Sequence, residues 1–309
     1  MSFRVGDRAR PRSLWRVAVF VGFWAGWVPA VNAQKPGRQD AALQSALEDR
    51  IRPFRGQVGV FARHLDTGAW AGLATDETFP TASMIKVPIL IGLYDQVERG
   101  ALSLHDRVNY ADSLFYASDD DLVNKLRAGE SVTLSKLAFL MISTSDNTAS
   151  LWIQGLVRGE HVNEWLDDHG FRATRVNSRV DGRQSNQARF GWGQTTPREM
   201  AELMVMIRDG RAVSPAASSE MYRTLTKSYW DDEALAPIPA TVQVASKQGA
   251  VSASRSEVLL VNGPTGDYVV CIITNGQEDQ SWEEDNEGFV LLRDLSRIVW
   301  EHFATASPS

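Results

Sequence analysis

The chain has 309 residues, of which 43% are hydrophobic and 23% are charged, and its formal net charge is −6. This apolar content is enough for one or two globular domains and argues against disorder. There is no basic stripe interleaved with aromatic residues, which argues against a nucleic acid partner.

Residues 1–33 have the pattern of a secretory signal peptide. Five arginines between positions 4 and 16 precede an apolar stretch at 17–31, and small residues lead to Ala33, after which we expect cleavage. A retained membrane anchor is the alternative, but the stretch is shorter than the roughly 20 residues of a spanning helix. We therefore expect residues 34–309 to form one domain, monomeric, periplasmic or extracellular, with no stable membrane anchor.

The N-terminal part of the mature chain has helical and then strand-like patterns. Leu43, Leu47 and Ile51 are four residues apart and predict a helix over 40–51. Residues 58–65 alternate as in a strand, with Phe61 on the opposite side from Val58, Val60 and Ala62, and a turn at 66–68 predicts a hairpin with 69–74. Apolar spacing then predicts a helix over 84–99, which Gly100 ends.

The remaining elements follow in the order helices, loop, helix, strands and helix. Helical patterns cover 134–142, 148–156 and 162–168, and residues 171–196 indicate a long surface loop, a kind that is usually functional. A helix is predicted over 197–208, strands over 242–245, 257–261 and 268–274, and a final helix over 287–303. The one cysteine, Cys271, falls in an apolar run, which favours a buried, inert thiol over a nucleophile.

This order of elements predicts an α+β fold. Strands lie near both ends of the chain and helices lie in the middle. The simplest architecture is an antiparallel sheet built from both termini, flanked by the terminal helices, with an inserted all-α subdomain.

The first motif with chemical meaning is Ser83-Met84-Ile85-Lys86. At the start of a helix, positions three apart share a face, so the lysine amine can lie beside the serine hydroxyl. Burial and a neighbouring cation would lower the pKa of the amine, which could then take the serine proton. The alternative is a solvent-facing lysine one turn from an unrelated serine.

Two further motifs are each weak evidence for a function when taken separately. Ser145-Asp146-Asn147 lies between two helical patterns, where the same residue types also serve as helix caps. Lys247-Gln248-Gly249 follows a strand-like run, and its glycine would let a substrate backbone approach an edge strand. The five histidines show no metal-ligand spacing, so no metal is expected.

Taken together and in this order, the three motifs resemble the S-x-x-K, S-D-N and K-T-G set of class A β-lactamases and penicillin-binding proteins. The segments at 79–82 and 195–197 are similar to that family as well, and the resemblance covers about residues 40–303. It implies the β-lactamase/transpeptidase-like fold and a serine hydrolase that needs no cofactor. The implied substrate is a small molecule, a β-lactam or a related amide, which acylates the enzyme.

The resemblance also implies a role for each matching residue. Ser83 would be the nucleophile and Lys86 its base, and Ser145 would pass a proton to the leaving nitrogen. Asn147 would orient a substrate amide, and Lys247 would pair with a substrate carboxylate. The backbone N–H groups of Ser83 and Ala250, which follows Gly249, would form the oxyanion hole.

The chain departs from the family pattern at two places. Gln248 replaces the usual threonine or serine of the third motif, which affects substrate preference. The loop at 174–186 lacks the family's glutamate, and Asp181 is its one carboxylate and its candidate replacement. Alternatively, Asp181 pairs with Arg179 or Arg183, or caps the Gly182 turn. The missing glutamate keeps two other functions open: a D-Ala-D-Ala carboxypeptidase or esterase, and a penicillin-binding protein that stays acylated.

Overall fold

A five-stranded antiparallel sheet forms the centre of the computed structural model, which describes residues 37–305. The strands of the chain are β1 Gln57–His64, β2 Trp70–Leu73, β3 Phe79–Pro80, β4 Arg107–Asn109, β5 Ser131–Thr133, β6 Arg175–Val176, β7 Gly193–Thr195, β8 Val244–Val251, β9 Ser254–Gly263 and β10 Gly266–Asn275. The central sheet has the order β2-β1-β10-β9-β8, so β8 is an edge strand. Two small sheets, β3-β7-β6 and β4-β5, lie outside it.

The α-helices lie mostly between β3 and β8. They are α1 Ala41–Ile51, α2 Lys86–Glu98, α3 Leu134–Ser143, α4 Asn147–Val157, α5 Gly159–Asp168, α6 Gln184–Phe190, α7 Pro197–Arg208, α8 Pro215–Leu225 and α9 Glu287–Thr305. Short 3-10 helices occur at Ala82–Ile85, Asp112–Leu114 and Val123–Lys125.

The central sheet separates two hydrophobic cores. Val58, Val60 and Ala62 point to the core shared with α1 and α9, whereas Phe61 points to the core shared with the helical part. Alternate residues of a strand face opposite sides of a sheet, so the period-two pattern of β1 fills both cores. The two terminal helices are joined by Asp40, which caps α1 through the Leu43 amide and accepts a hydrogen bond from His302 at 2.9 Å.

The predicted α+β architecture is confirmed. The sheet comes from both ends of the chain, α1 and α9 flank it, and the segment between β2 and β8 is mostly helical. The predicted hairpin corresponds to β1 and β2, which pair in antiparallel fashion. Cys271 is fully buried in β10, as expected for an inert thiol, and burial raises its pKa.

Three details of the sequence interpretation are wrong. Residues 171–196 are not a structureless surface loop, because they contain β6, α6 and β7 and bury Thr174, Asn177 and Thr195. Helix α8 was missed, although its buried Ala217, Met221 and Leu225 are four residues apart, as the apolar residues of α1 are. The lysine of the third motif lies within β8 rather than after a strand, since the strand continues to Val251.

The predicted signal segment lies outside the described residues. Between residues 37 and 305, the helices are all too short or too polar to cross a bilayer.

Candidate active site

Ser83 lies in the 3-10 helix Ala82–Ile85, at the point where the chain turns into α2. The preceding residue, Ala82, has a left-handed φ of 43°, which costs a non-glycine residue about 1–3 kcal/mol. Backbone hydrogen bonds on both sides hold this conformation: the Thr81 amide donates to Gly193 and the Thr81 carbonyl accepts from Met84. Ser83 is half-buried and lines a cleft of about 620 Å³.

Lys86 is the first residue of α2 and is completely buried. Its Nζ donates hydrogen bonds to the Ser145 carbonyl, to Ser145 Oγ at 2.9 Å and to Asn147 Oδ1 at 2.8 Å. Burial, and then the nearby charge of Lys247, lowers the pKa of Lys86 well below its ordinary value. A lysine with a lowered pKa has the neutral amine that a general base requires.

The Ser145-Asp146-Asn147 turn is held by two buried carboxylates. Asp146 caps α4 through the Ala149 amide and also accepts the Leu122 and Val123 amides, and Asp121 accepts the Asn147 and Thr148 amides. Ser145 has a left-handed φ of 60° at this turn. The capping alternative is therefore correct for Asp146, while Ser145 and Asn147 face Lys86.

Lys247 is buried in β8 on the other side of Ser145, and 1% of its surface is exposed. Its Nζ donates to Ser145 Oγ at 3.1 Å, to the Gln248 carbonyl at 2.9 Å and to Gln248 Oε1. Burial lowers the pKa of Lys247 to about 7. The Ser145 hydroxyl thus lies between two lysine amines.

Gly249 lets β8 approach the nucleophile. A Cβ atom at this position would lie 2.7 Å from the Ser83 nitrogen and 2.8 Å from the Thr81 oxygen, closer than real Cβ contacts occur. The glycine is therefore required for contact with the protein's own backbone at Ser83, which differs from the expected role toward a substrate backbone. Ala250 and Gln248 line the cleft next to Ser83.

Asp181 is not brought to the cleft. It is exposed at a turn, and the residues that line the cleft include none from 171–196. Within residues 37–305, Asp181 forms no ion pair with Arg179 or Arg183. Arg183 instead donates to Asn177 Oδ1 at 2.8 Å and to Gln194 Oε1 at 3.0 Å.

The segment at 171–196 contacts the site through Gln154 and Trp192, which sequence reasoning missed. Gln154 of α4 donates to the Ser178 carbonyl at 2.6 Å and accepts the Trp192 Nε1–H at 2.6 Å. The Trp192 ring lies 5.6 Å from Lys86 Nζ. A tryptophan between two glycines in a polar segment was the available signal for this contact.

Two buried glutamates next to Lys247 were also missed. Glu257 lies opposite Gln248 on β9 and accepts the Ala234 amide at 2.8 Å, and Glu233 lines the cleft. Burial, with a smaller effect of Asp232, raises the pKa of Glu233 to about 7. Burial, and then Glu233, raises the pKa of Glu257 well above its ordinary value. Glutamate in a strand or loop gives no sequence signal of burial, so only the structure could reveal them.

The part of the chain that the structure describes contains no group of three histidine, cysteine or acidic side chains arranged to hold a metal ion. Around Ser83, the groups described above are serine hydroxyls, lysine amines, side-chain amides and backbone groups. Two amines around one bridging hydroxyl can move protons, and an edge strand beside Ser83 can bind an extended substrate.

Comparisons with known proteins agree with this geometry. The chain is 25% identical to a β-lactamase of Rhodobacter capsulatus over 291 residues, which are 92% of this chain and 95% of the relative. The solved structure of PBP-A superposes with a TM-score of 0.78 and 24% identity over 88% of this chain and 100% of that one. A β-lactamase structure from Sphaerobacter thermophilus gives a TM-score of 0.75 with 24% identity over 86% and 98%.

The sequence model of the beta-lactamase enzyme family matches residues 42–303, which is most of the chain. The matched region contains all three motifs and all but the outermost residues of the two terminal helices. The chain therefore belongs to the beta-lactamase enzyme family and is a serine hydrolase with the fold of the penicillin-recognising enzymes.

Proposed function

We propose that the protein is an exported hydrolase that forms an acyl-enzyme at Ser83 with a β-lactam or a related amide. The observation that carries this proposal is the chain of hydrogen bonds from Lys86 through Ser145 Oγ to Lys247, beside a serine that lines the cleft. Buried amines with lowered pKa values are suited to accept and return a proton near neutral pH.

The acylation step uses the groups around Ser83. Lys86 takes the proton of Ser83 Oγ, which attacks the substrate carbonyl carbon, and the Ser83 and Ala250 N–H groups bind the resulting oxyanion. Ser145 then gives a proton to the leaving nitrogen as the carbon–nitrogen bond breaks, and it is reprotonated through its amine neighbours. One oxyanion-hole donor contributes about 3–4 kcal/mol to such a transition state.

Amide groups remain available to hold the substrate. The Asn147 Oδ1 atom accepts from Lys86, so its Nδ2 group is left for a substrate carbonyl. Gln248 is similar, because its Oε1 atom accepts from Lys247 and its Nε2 group is left for a substrate oxygen. Both side chains line the cleft.

A second candidate is a penicillin-binding protein, or a D-Ala-D-Ala carboxypeptidase or esterase, that releases a β-lactam adduct slowly. This candidate is favoured by the position of Asp181, which is exposed and does not line the cleft. Loss of one positioned general base slows a step by about 10²–10⁴-fold. A variant of the structural neighbour PBP-A has been solved as an acyl-enzyme complex with penicillin G.

Export is part of the proposal, since the basic and apolar pattern of residues 1–33 is that of a signal peptide. We expect the mature protein, a monomer, in the periplasm or outside the cell. A fusion of residues 1–33 to a reporter that is active only after export tests this, and a reporter that stays inside would contradict it.

The catalytic proposal is tested by mixing the mature protein with a fluorescent penicillin and, separately, with a chromogenic cephalosporin. We expect one equivalent of covalent label, which Ser83→Ala abolishes and Ser135→Ala, an exposed serine on α3, retains. Many turnovers of the cephalosporin support a β-lactamase, and stable label without turnover supports the second candidate. Undiminished labelling of Ser83→Ala would exclude Ser83 as the nucleophile.

A further inference from the structure

One wall of the cleft is built of carboxylates and aromatic rings. It is formed by the loop before β8, the loop before α9 and the start of α9. Arg293 of α9 joins the two loops by donating to the Asp232 carbonyl at 3.3 Å and to the Glu284 carbonyl. We call this surface the acidic wall, and its residues are Trp230, Asp232, Glu233, Trp282, Glu284 and Phe289.

Glu233 is the buried member of the acidic wall. Only 8% of its surface is exposed, and that remainder faces the cleft that it lines. In the described part of the chain, its Oε2 atom has no hydrogen-bond partner and its carboxylate has no ion pair within 4 Å. Buried polar groups are usually hydrogen-bonded, so a ligand with a donor group would supply the partner that the protein does not.

The cations near this wall form no ion pair with Glu233 within 4 Å. Lys247 donates to Ser145 and Gln248, and the hydrogen bonds of Arg293 go to backbone carbonyls. Arg255 is fully buried between the rings of Trp282 and Phe289, at 4.5 and 4.4 Å, and donates to the Ser281 carbonyl at 2.6 Å. Glu233 therefore keeps an oxygen without a hydrogen-bond partner at the edge of the cleft that it lines.

The other charged residues that line the cleft are also mostly negative. Asp120, Asp232 and Glu284 are exposed carboxylates of its lining, whereas Arg293 is the one cation among the lining residues. Such a cleft concentrates cations and repels anions. Trp282 remains 60% exposed although Arg255 stacks on it, and an aromatic face next to carboxylates also favours a cation.

We propose that the acidic wall binds a positively charged group of the acylating substrate, an ammonium or a guanidinium, with Glu233 as its principal contact. The inference rests on the proposed function at Ser83, because the two sites share one cleft. The predicted substrate class is therefore cationic amides, including β-lactams with a cationic side chain.

Three penicillins with the same nucleus and phenylacetyl side chain test the inference. They carry hydrogen, an ammonium or a carboxylate at the side-chain α carbon. We expect the second-order acylation rate constant to be at least about tenfold higher for the ammonium than for the carboxylate compound, with the neutral one between them.

The matched variants are Glu233→Gln and Glu283→Gln. Glu283 is an exposed glutamate on the other loop of the wall, the one before α9, and it does not line the cleft, so its replacement changes a nearby carboxyl group without touching the cleft lining. We expect Glu233→Gln to reduce the ratio of rate constants to less than about threefold and Glu283→Gln to keep it. A preference for the carboxylate compound, or an undiminished ratio in Glu233→Gln, would overturn the inference and leave acylation at Ser83 intact.

A binding measurement separates this inference from the proposed function. Quenching of tryptophan fluorescence reports binding of benzylammonium, with phenylacetate as the matched anion, and neither compound needs Ser83. If no penicillin acylates the protein but benzylammonium binds and Glu233→Gln weakens it about tenfold, the proposed function fails and the cation site stands. If benzylammonium does not bind in preference to phenylacetate, the cation site fails. Thermal unfolding checks that Glu233→Gln is folded, and Asp232→Asn at an exposed position replaces it if it is not.

Discussion

Lys86 lies between two walls, one formed by Ser145 and β8 and the other by residues 171–196. The two walls differ in what their polar groups bond to. On the side of Ser145 and β8, side chains bond across to Lys86 and Lys247 and form a continuous path for protons. On the side of residues 171–196, polar groups bond to one another and to Glu199, which accepts the Arg172, Ala173 and Thr174 amides. The first wall has the groups that the proposed acylation uses, and the second mainly shields Lys86 from water.

The shielding matters because it sets the charge of the base. The Trp192 ring covers Lys86, and Gln154 holds both the ring and the Ser178 carbonyl in place. A desolvated amine favours its neutral form, which is the form that the proposed proton transfer from Ser83 requires. The second wall therefore has a part in the proposed acylation even though its carboxylate, Asp181, does not line the cleft.

The largest change in the acylation rate that tests this difference between the two walls is expected at Lys86. We expect Lys86→Met to slow acylation by a fluorescent penicillin about 10²–10⁴-fold, because it removes the proposed general base. Lys136→Met, at an exposed lysine of α3, is the matched control and should acylate at the original rate. An unchanged rate in a folded Lys86→Met protein would show that another group takes the proton.

A smaller effect is expected at Trp192. In Trp192→Ala, water reaches Lys86, and its pKa rises toward the ordinary value. A higher pKa leaves less neutral amine at a given pH, so acylation at pH 7 should fall about tenfold for each unit of pKa and recover as the pH is raised. The measurement is the pH profile of the acylation rate, whose acid limb should move to higher pH.

The Trp192 ring has two opposing effects on the pKa of Lys86. Their relative sizes decide whether removal of the ring raises or lowers that pKa. Attraction between an ammonium and an aromatic face contributes about 2 kcal/mol at a desolvated site such as Lys86 and favours the charged form. Burial is the larger cause of the lowered Lys86 pKa. Trp192→Phe keeps a ring over Lys86 but loses the hydrogen bond to Gln154, so it should shift the profile less. An acid limb that moves to lower pH in Trp192→Ala would contradict this account.

The smallest effect is expected at Asp181. Because Asp181 is exposed and away from the cleft lining, Asp181→Asn should leave the rate of acyl-enzyme hydrolysis within about twofold of the original. The measurement is the loss of fluorescent label from purified acyl-enzyme over time. A decrease of about 10²-fold or more would show that the segment moves Asp181 to the acyl group and would remove the distinction between the two walls.

Much of the fold could be read from local patterns. The spacing of Leu43, Leu47 and Ile51 predicted α1, and the alternation around Phe61 predicted that it faces the opposite side of β1 from its apolar neighbours. These predictions succeed because helix and strand periods place apolar residues on one face. The segment at 171–196 was misread, since its order comes from contacts with Glu199, Gln154 and Trp192 that are distant in sequence.

The sequence by itself determined the family, the α+β order of elements and the residues of the three motifs. Each of these depends on residue types at short spacing, which the linear chain displays directly. The tertiary structure decided that Ser145 Oγ lies between two buried amines, that Asp181 lies away from the cleft and that Glu233 faces it without a partner. Burial and the approach of distant segments set the pKa values and the open hydrogen-bond positions, and neither is a property of residues close together in the chain.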